Sequence, residues 1–380
     1  MGKVNRILAL CMALVSVCFV QATPVVQSSV PAKLTDKEFA AQLDALIDKA
    51  AVDDSFSGVA LVAKDGKAIF EKAVGFANKE TKLPNKTTTR FNLGSINKSF
   101  TSVAIAQLAQ RGKLAYTDTI AKHLPDYPNK AVAEKVTIHQ LLTHSSGLGD
   151  YLGESLAQVK TLRDVLPLFV NQPLTFEPGQ RLQYSNAGYI VLGLIIERLS
   201  GRNYYDYVKE NIFKPAGMTR TDSYELGQNV LDLAVGYTRP GSSGRQPGQT
   251  PAEQTGPRTP NTATLAGKGS SAGGGYSTVE DMLKFANALS ANKLLSPEFT
   301  EIVFTAGAPQ NTAGPGRGYG FMRSEQNGIR IVGNGGGGPG VNAMFRMYFG
   351  RGYTLVVLSN YDPPSAERIA TKIHEMITTN

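Results

Sequence analysis

A serine followed three residues later by a lysine is one of the few arrangements in which a hydroxyl can be activated without a histidine. Ser95-Ile96-Asn97-Lys98 is such a pair. Three residues is close to one helical turn, so on a helix Lys98 stands above Ser95 on the same face. An amine so placed takes the hydroxyl proton if a dry or positive surrounding destabilises its own charge. The spacing alone is a weak signal, because Ser290-Ala291-Asn292-Lys293 repeats it at what reads as a polar helix end. Two other serines compete. Gly269-Ser270-Ser271-Ala272-Gly273 has the form of a nucleophile elbow, with Asp362 and His374 following in hydrolase order. An elbow needs an apolar strand before it, and the preceding segment from Asn261 to Lys268 is loop-like. His144-Ser145-Ser146-Gly147 sets serines beside a histidine, but on no element that would aim a hydroxyl.

What favours Ser95 is its company. Tyr184-Ser185-Asn186 stands just before an apolar helix. A phenol beside an ammonium can act as general base, and the Asn186 amide can bind Lys98 or substrate. Tyr127-Pro128-Asn129 has the same spacing but lies in a proline-rich turn. Gly333-Asn334-Gly335-Gly336-Gly337-Gly338-Pro339-Gly340 follows the strand-like run Ile329–Val332. So many glycines allow a backbone to come close to a ligand. One N–H from that run, paired with the N–H of Ser95, would form an oxyanion hole.

Taken in order, Ser-x-x-Lys, Tyr-x-Asn and a glycine-rich C-terminal strand resemble the serine β-lactamase/penicillin-binding-protein superfamily. The flanking text is similar to its class C, DD-peptidase and related-esterase branch. It includes Phe91-Asn92-Leu93-Gly94, Thr137-Ile138-His139-Gln140-Leu141-Leu142-Thr143, Phe176-Glu177-Pro178-Gly179 and Pro215-Ala216-Gly217-Met218. The likeness spans about residues 36–380. It implies Ser95 as acylated nucleophile, Lys98 as its activating amine and Tyr184 as general base. Asn186 would partner Lys98 and substrate, and Asn334, Gly335, Gly336 and Gly337 would form the substrate and oxyanion edge, with Gly337 giving the second oxyanion N–H. One departure matters: Asn334 and Gly335 stand where the family has Lys-Thr-Gly or His-x-Gly. The lost cation weakens carboxylate recognition, since charge-assisted hydrogen bonds are about twice as strong as neutral ones. Arg346 and Arg330 are the arginines considered as replacements. The loss shifts the expectation from a β-lactam toward an ester or D-amino-acid peptide.

The elements that must hold these groups are legible in outline. Thr35-Asp36-Lys37-Glu38 is a capping box opening a helix with Phe39, Leu43, Leu46 and Ile47 on one face. Ser57–Lys64 and Lys67–Gly75 read as strands joined by Asp65-Gly66, which tolerates the positive φ of a two-residue hairpin. Residues 95–235 are helical in character, with Phe100, Val103, Ala104 and Leu108 at helical spacing after Ser95. Residues 238–275 are rich in Pro, Gly, Ser and Thr and are expected to form an exposed loop. Gly328–Val332, Asn342–Phe349 and Tyr353–Ser359 read as strands before a last helix. The expected fold is α+β: one antiparallel sheet built from both chain ends (about 36–90 and 276–380), flanked by helices, with an inserted helical subdomain. Residues 23–380 are read as a single domain.

Composition sets the outer bounds. The chain has 380 residues, 42% apolar and 18% charged, which excludes a disordered or collagen-like protein. Lys3 and Arg6, the apolar run Ile7–Val20 and Val20-Gln21-Ala22 read as a signal peptide over residues 1–22. Its removal takes away Cys11 and Cys18, the only cysteines, so disulfides, thiolate catalysis and cysteine-based metal sites are excluded from the mature chain. Leu10 before Cys11 and Val17 before Cys18 argue against a lipid-anchored cysteine. The expected location is therefore periplasmic or secreted, in a bacterium, with no membrane span after cleavage. The net charge of +8 is spread out rather than clustered. It gives no nucleic-acid signal and leaves cell-wall peptidoglycan as a candidate partner. His123, His139, His144 and His374 lack metal-ligand spacing, and His139 and His144 are read as helix-end residues; no metal or other cofactor is expected. The residues support an exported serine hydrolase acting through an acyl-enzyme on an ester, D-amino-acid peptide or β-lactam. The alternative is a non-catalytic protein holding penicillin or a peptidoglycan stem in the same cleft.

Overall fold

Asp65 and Gly66 both adopt positive φ, 47° and 77°, and turn the chain between β1 (Gly58–Lys64) and β2 (Lys67–Val74). This is the conformation in which a two-residue turn follows the strand twist. The computed structural model describes residues 35–151, 156–241, 256–307 and 316–379. The expected signal peptide and the central part of loop 238–275 lie outside the described residues. The remaining strands of the main sheet are β3 (Gly316–Arg317), β4 (Met322–Gln326), β5 (Ile329–Gly338), β6 (Val341–Phe349) and β7 (Tyr353–Ser359). Their order is β2-β1-β7-β6-β5-β4-β3, with every pair antiparallel. The first and last strands of this sheet thus pair with each other inside it, with Val59 opposite Leu358 and Leu61 opposite Val356. The fold is α+β with an antiparallel sheet.

Both faces of this sheet are covered, which explains why β1 and β7 read as nearly continuous apolar runs. Val59, Leu61, Ala63, Val356 and Leu358 enter one core, and Ala60, Val62, Leu355 and Val357 enter the other. The second core is closed by α1 (Asp36–Val52), through Phe39, Leu43 and Ile47, and by the last helix, through Ile369, Ile373 and Ile377. The capping box is present, with Thr35 Oγ1 accepting from Glu38 N–H and Glu38 accepting from Thr35 N–H.

The first core surrounds α2 (Asn97–Gln110). The sequence predicts one apolar face, yet every residue from Asn97 to Leu108 is buried. A helix through the interior needs partners for its polar side chains. Thr101 donates to Ser271 O at 2.7 Å, Ser99 to Gly320 O at 2.7 Å, and Gln107 Nε2 to Asn211 O at 2.9 Å. Phe100 meets Phe213 and Phe285 edge-on, with ring centroids 5.1 and 4.8 Å away. Phe100→Ala is expected to cost about 3–5 kcal/mol of stability, read as a lowered midpoint of chemical denaturation. A loss below 1 kcal/mol would mean that this aromatic cluster does not anchor α2.

Two stretches differ from expectation. The run from Gly333 to Gly338 continues β5 as a ladder with β6, pairing Gly333 with Arg346 through to Gly338 with Val341. At Gly333 and Gly336 a Cβ would strike neighbouring backbone, whereas at Gly338 nothing lies within 4 Å. In the stretch expected to be an exposed loop, Asn261, Ser271 and Ala272 are buried, and residues 269–275 lie along the start of α2. That segment contributes backbone carbonyls rather than apolar side chains, so apolar patterning could not reveal its burial.

Candidate active site

Three separate pieces of chain converge at the start of α2. A short 3₁₀ turn, Gly94–Ile96, runs directly into α2 and sets Ser95 in its first turn. Lys98 follows one turn later. Tyr184 and Asn186 flank Ser185, whose side chain accepts from Gly188 N–H and caps α3 (Asn186–Ser200). The third piece is β5, whose Gly336 and Gly337 pass alongside Leu93–Ser95. The fit requires glycine: a Cβ on Gly336 would strike the Leu93 carbonyl oxygen and come within 2.9 Å of Ser95 N. Gly94 itself has φ +50°, and a Cβ there would lie 2.9 Å from Gly337 N.

Ser95 Oγ lies 3.3 Å from Lys98 Nζ and accepts a hydrogen bond from Tyr184 Oη at 2.6 Å. Lys98 is 2% exposed, and its Nζ donates to Asn186 Oδ1 at 2.8 Å and to the Ala272 carbonyl. Those two carbonyl oxygens can only accept, so they fix two N–H bonds of Lys98 and leave the third direction toward Ser95 Oγ. In the neutral amine that direction is the lone pair, which is the geometry for receiving the serine proton. The ammonium also sits 4.7 Å from the Tyr184 ring centroid. The N–H of Ser95 lies in the first turn, ahead of any intrahelical acceptor, and the adjacent Gly337 N supplies a second donor position. Ser95, Lys98, Tyr184, Asn186, Gly336 and Gly337 are therefore brought together.

The side chain of Asn334 is engaged by its neighbours. Its Nδ2 donates to Ser99 Oγ at 3.2 Å and to Gly320 O at 2.8 Å, and its Oδ1 accepts from Gly335 N–H at 2.8 Å. Asn334 lines the cleft beside Lys98 and Tyr184, but its amide hydrogens tie β5 to α2 and to residues 318–320. The Gly335 N–H is likewise occupied within the strand. Neither considered arginine replaces the missing cation: Arg330 pairs with Glu301 at 2.9 Å, and Arg346 Nη1 reaches the Ala370 carbonyl. Arg317 on β3 brings a guanidinium to the cleft, with Cζ 5.9 Å from the Tyr184 ring centroid.

Asp150 was missed, and so was the contact of His144 with Tyr184. Asp150 Oδ2 accepts from both the backbone N–H and the side-chain Nδ2 of Asn186, at 2.9 and 3.1 Å. This fixes the amide so that Oδ1 faces Lys98. His144 lies buried with its ring 4.4 Å from that of Tyr184. Burial, and then the charges of Lys98 and Arg317, hold its pKa well below the usual histidine range, so the ring is neutral. Because Nδ1 accepts from Ser185 N–H at 3.3 Å, the hydrogen-bond network assigns the proton to Nε2. It stands just past the C-cap Thr143 of the helix Ile138–Leu142, with φ 59°, at the helix end as expected, and its ring also walls Tyr184. The contact joins segments 40 residues apart in the chain, so no local pattern announces it.

The competing serines are set apart. Ser271 Oγ is fully buried with no hydrogen-bond partner among the described residues. Asp362 instead accepts from the backbone N–H groups of Gly340 and Arg239, while His374 meets Tyr348 and Gln326. Ser290 ends a helix, Val279–Ser290. Among the described residues no group of three or more His, Cys, Asp or Glu side chains could hold a metal ion, and no helix is long and apolar enough to cross a membrane.

Comparison with known proteins agrees with this arrangement of elements. A family model described as Beta-lactamase matches residues 43–377. Penicillin-binding protein 4* of Bacillus subtilis is 32% identical over 330 residues, which are 84% of this chain and 71% of that protein. A penicillin binding protein from Bacillus halodurans superposes with a TM-score of 0.77 at 32% identity, covering 88% of this chain and 98% of that one. The D-amino acid amidase of Ochrobactrum anthropi SV3 has the same fold, with a TM-score of 0.73 at 22% identity over 89% and 98% of the two chains.

Proposed function

This chain belongs to the Beta-lactamase family of serine hydrolases, and on that premise we propose that it is an exported hydrolase working through an acyl-enzyme on Ser95. The observation carrying the reading is the convergence of Ser95 Oγ, Lys98 Nζ and Tyr184 Oη within 3.3 Å. Ser95 Oγ attacks the carbonyl carbon of an ester, a D-amino-acid peptide or a β-lactam. Its proton passes to Lys98 Nζ, and the carbonyl oxygen takes up negative charge between the N–H groups of Ser95 and Gly337. Tyr184 hands its phenol proton to the leaving atom as the carbon–leaving-group bond breaks, and the serine proton held by Lys98 restores the phenol. Water then attacks the acyl carbon and gives a proton to Lys98, which returns it to Ser95 Oγ as the acid is released. Asn186, oriented by Asp150, holds Lys98 throughout. Export rests on the leader-like first 22 residues, and cell-wall stem peptides are natural candidates for a basic exported protein.

The test is intact mass after separate exposure to a penicillin and to an activated short-chain ester, with released product followed and the modified peptide mapped. An adduct on the peptide holding Ser95, or turnover of either compound, is the expected result. An adduct on Ser271 would move the nucleophile. No adduct and no turnover with these compounds or with stem peptides would leave a non-catalytic binding protein as the better reading.

A further inference from the structure

Asp362 follows Ser271 in hydrolase order, yet its carboxylate is engaged elsewhere. The side chain is 1% exposed, and a carboxylate is seldom buried unless other groups need its charge. Oδ1 accepts from Gly340 N–H at 2.7 Å, and Oδ2 accepts from Arg239 N–H at 2.8 Å. The guanidinium of Arg258, 10% exposed, brings Nη1 to 3.6 Å from Oδ2 and lies 3.7 Å over the Tyr361 ring. It offsets the charge that burial would otherwise make costly. On its outer side Arg258 Nε donates to Asp54 Oδ2 at 3.4 Å, and Tyr361 Oη donates to Asp54 Oδ1 at 2.6 Å.

What this buried carboxylate holds is a turn. Pro339 and Gly340 are the two residues between β5 and β6, and Gly340 has φ 65°. A Cβ on Gly340 would lie 2.6 Å from Tyr237 N, so the turn is packed against backbone. From the side away from Asp362, Asn261 Nδ2 donates to the Pro339 carbonyl at 2.7 Å. The Pro339 carbonyl and the Gly340 N–H belong to one peptide unit and point in opposite directions. Asp362 and Asn261 therefore grip that unit at both ends. Across the turn Gly338 pairs with Val341, and the next pair is Gly337 with Asn342. Pro363, directly after Asp362, also stands against Gly337: a Cβ there would lie 3.0 Å from its Cγ.

We propose that Asp362, with Asn261 opposite it, is a positioning residue for the oxyanion donor at Gly337. The inference rests on the Ser95 acyl-enzyme reading. Gly337 has no side chain with which to hold its own place, and it stands near the free end of β5. A hydrogen bond to a developing oxyanion is worth most when its donor is already fixed before the charge appears. Pinning the peptide unit just beyond Gly338 supplies that rigidity, and a carboxylate grips an N–H more firmly than a neutral acceptor does. Asp362 touches neither the substrate nor Ser95; it acts through the turn. Arg258 in turn keeps the carboxylate charged, with Asp54 as its outer anchor.

The test compares acylation of Ser95 by an activated aryl ester and by its thionoester, in which sulfur replaces the carbonyl oxygen. Sulfur is the poorer hydrogen-bond acceptor, so the ratio of the two rates reads the geometry of the hole. In Asp362→Ala the ester rate should fall about 10–100-fold, with the thionoester changed less than about threefold. Asp362→Asn keeps an acceptor for Gly340 N–H and should recover part of the loss. Asn261→Ala, which disturbs no charge, should show the same selective fall and carries the test if Asp362→Ala does not fold. Asp54→Asn, which loosens only the outer anchor, should keep the wild-type ratio. Losses equal on both donors, or a ratio that falls as far in Asp54→Asn, would be general damage and overturn the positioning role. Unchanged ester rates in the folded variants, or a wild type with no preference for the ester, overturn it too while leaving Ser95 intact. If a penicillin labels Ser95 and neither ester does, labelling rates are compared instead: a fall of about tenfold in Asp362→Ala but not in Asp54→Asn supports the role, and equal rates overturn it. A wild type that takes no label on Ser95 from any of the three overturns the acyl-enzyme reading and the positioning role together.

Discussion

Ser95→Ala and Lys98→Ala are each expected to remove turnover of whichever ester, peptide or lactam the wild type hydrolyses, by about 10³–10⁶-fold in kcat. The double variant should be no worse than the more impaired single variant. The argument is that the two groups act as one unit. Lys98 Nζ has two of its three directions fixed by the Asn186 and Ala272 carbonyls, and the third points to Ser95 Oγ. Without the amine, the hydroxyl keeps its Tyr184 bond but loses the group that takes its proton. Without the hydroxyl, the amine has nothing to activate. Additive losses would mean that the two residues contribute independently, and the assignment of Lys98 as the activating amine would fail. A stable acyl adduct on Lys98→Ala with normal kinetics would have the same force. Because Lys98 is buried, each variant is first checked by its thermal midpoint, so that a lost fold is not mistaken for lost chemistry.

Much of this site was legible because its signals are local. Ser-x-x-Lys spacing puts two groups on one helical face, and that is where Ser95 and Lys98 lie. Tyr184 and Asn186 straddle a helix cap, a feature that Ser185 before an apolar run already announces. The capping box at Thr35 and the Asp65-Gly66 turn are equally local, each set by hydrogen bonds or dihedral angles within four residues. Asp150, His144 and Arg317 were not legible, for the opposite reason. Asp150 reaches Asn186 across 36 residues, and His144 meets Tyr184 across 40. Arg317 sits on a two-residue edge strand too short to show alternation. The wrapping of residues 269–275 around α2 was hidden because carbonyl groups, common to every residue type, make its contacts. Charge counting registers that Asn334 is neutral where the family has a cation, but only packing shows that Arg317 reaches the cleft.

Gly336→Ala is expected to lower kcat by about 10²–10³-fold, the loss that follows removal of one oxyanion donor, while Gly338→Ala, two residues along the same strand, leaves activity within about twofold. The contrast isolates one contact. An alanine Cβ at 336 meets the Leu93 carbonyl oxygen and lies 2.9 Å from Ser95 N, both backbone atoms that no rotamer change can move aside. At 338 a Cβ meets nothing within 4 Å. To accept the methyl group at 336, β5 must shift away from the 3₁₀ turn at Gly94–Ile96 or the turn must shift away from it. Either movement separates the N–H of Gly337 from that of Ser95. The strand has little freedom to absorb this, since Asn342 Nδ2 donates to the Gly336 carbonyl at 3.2 Å and Asn334 ties the same strand to α2. Two readouts separate geometry from general damage: kcat should fall with a comparatively small change in KM, and the circular dichroism spectrum should be kept. If Gly336→Ala turns over substrate at the wild-type rate, the strand is not the second wall of an oxyanion hole and Gly337 loses its assigned role. If both alanine variants lose activity alike, the glycines serve the strand as a whole rather than this one approach to Ser95.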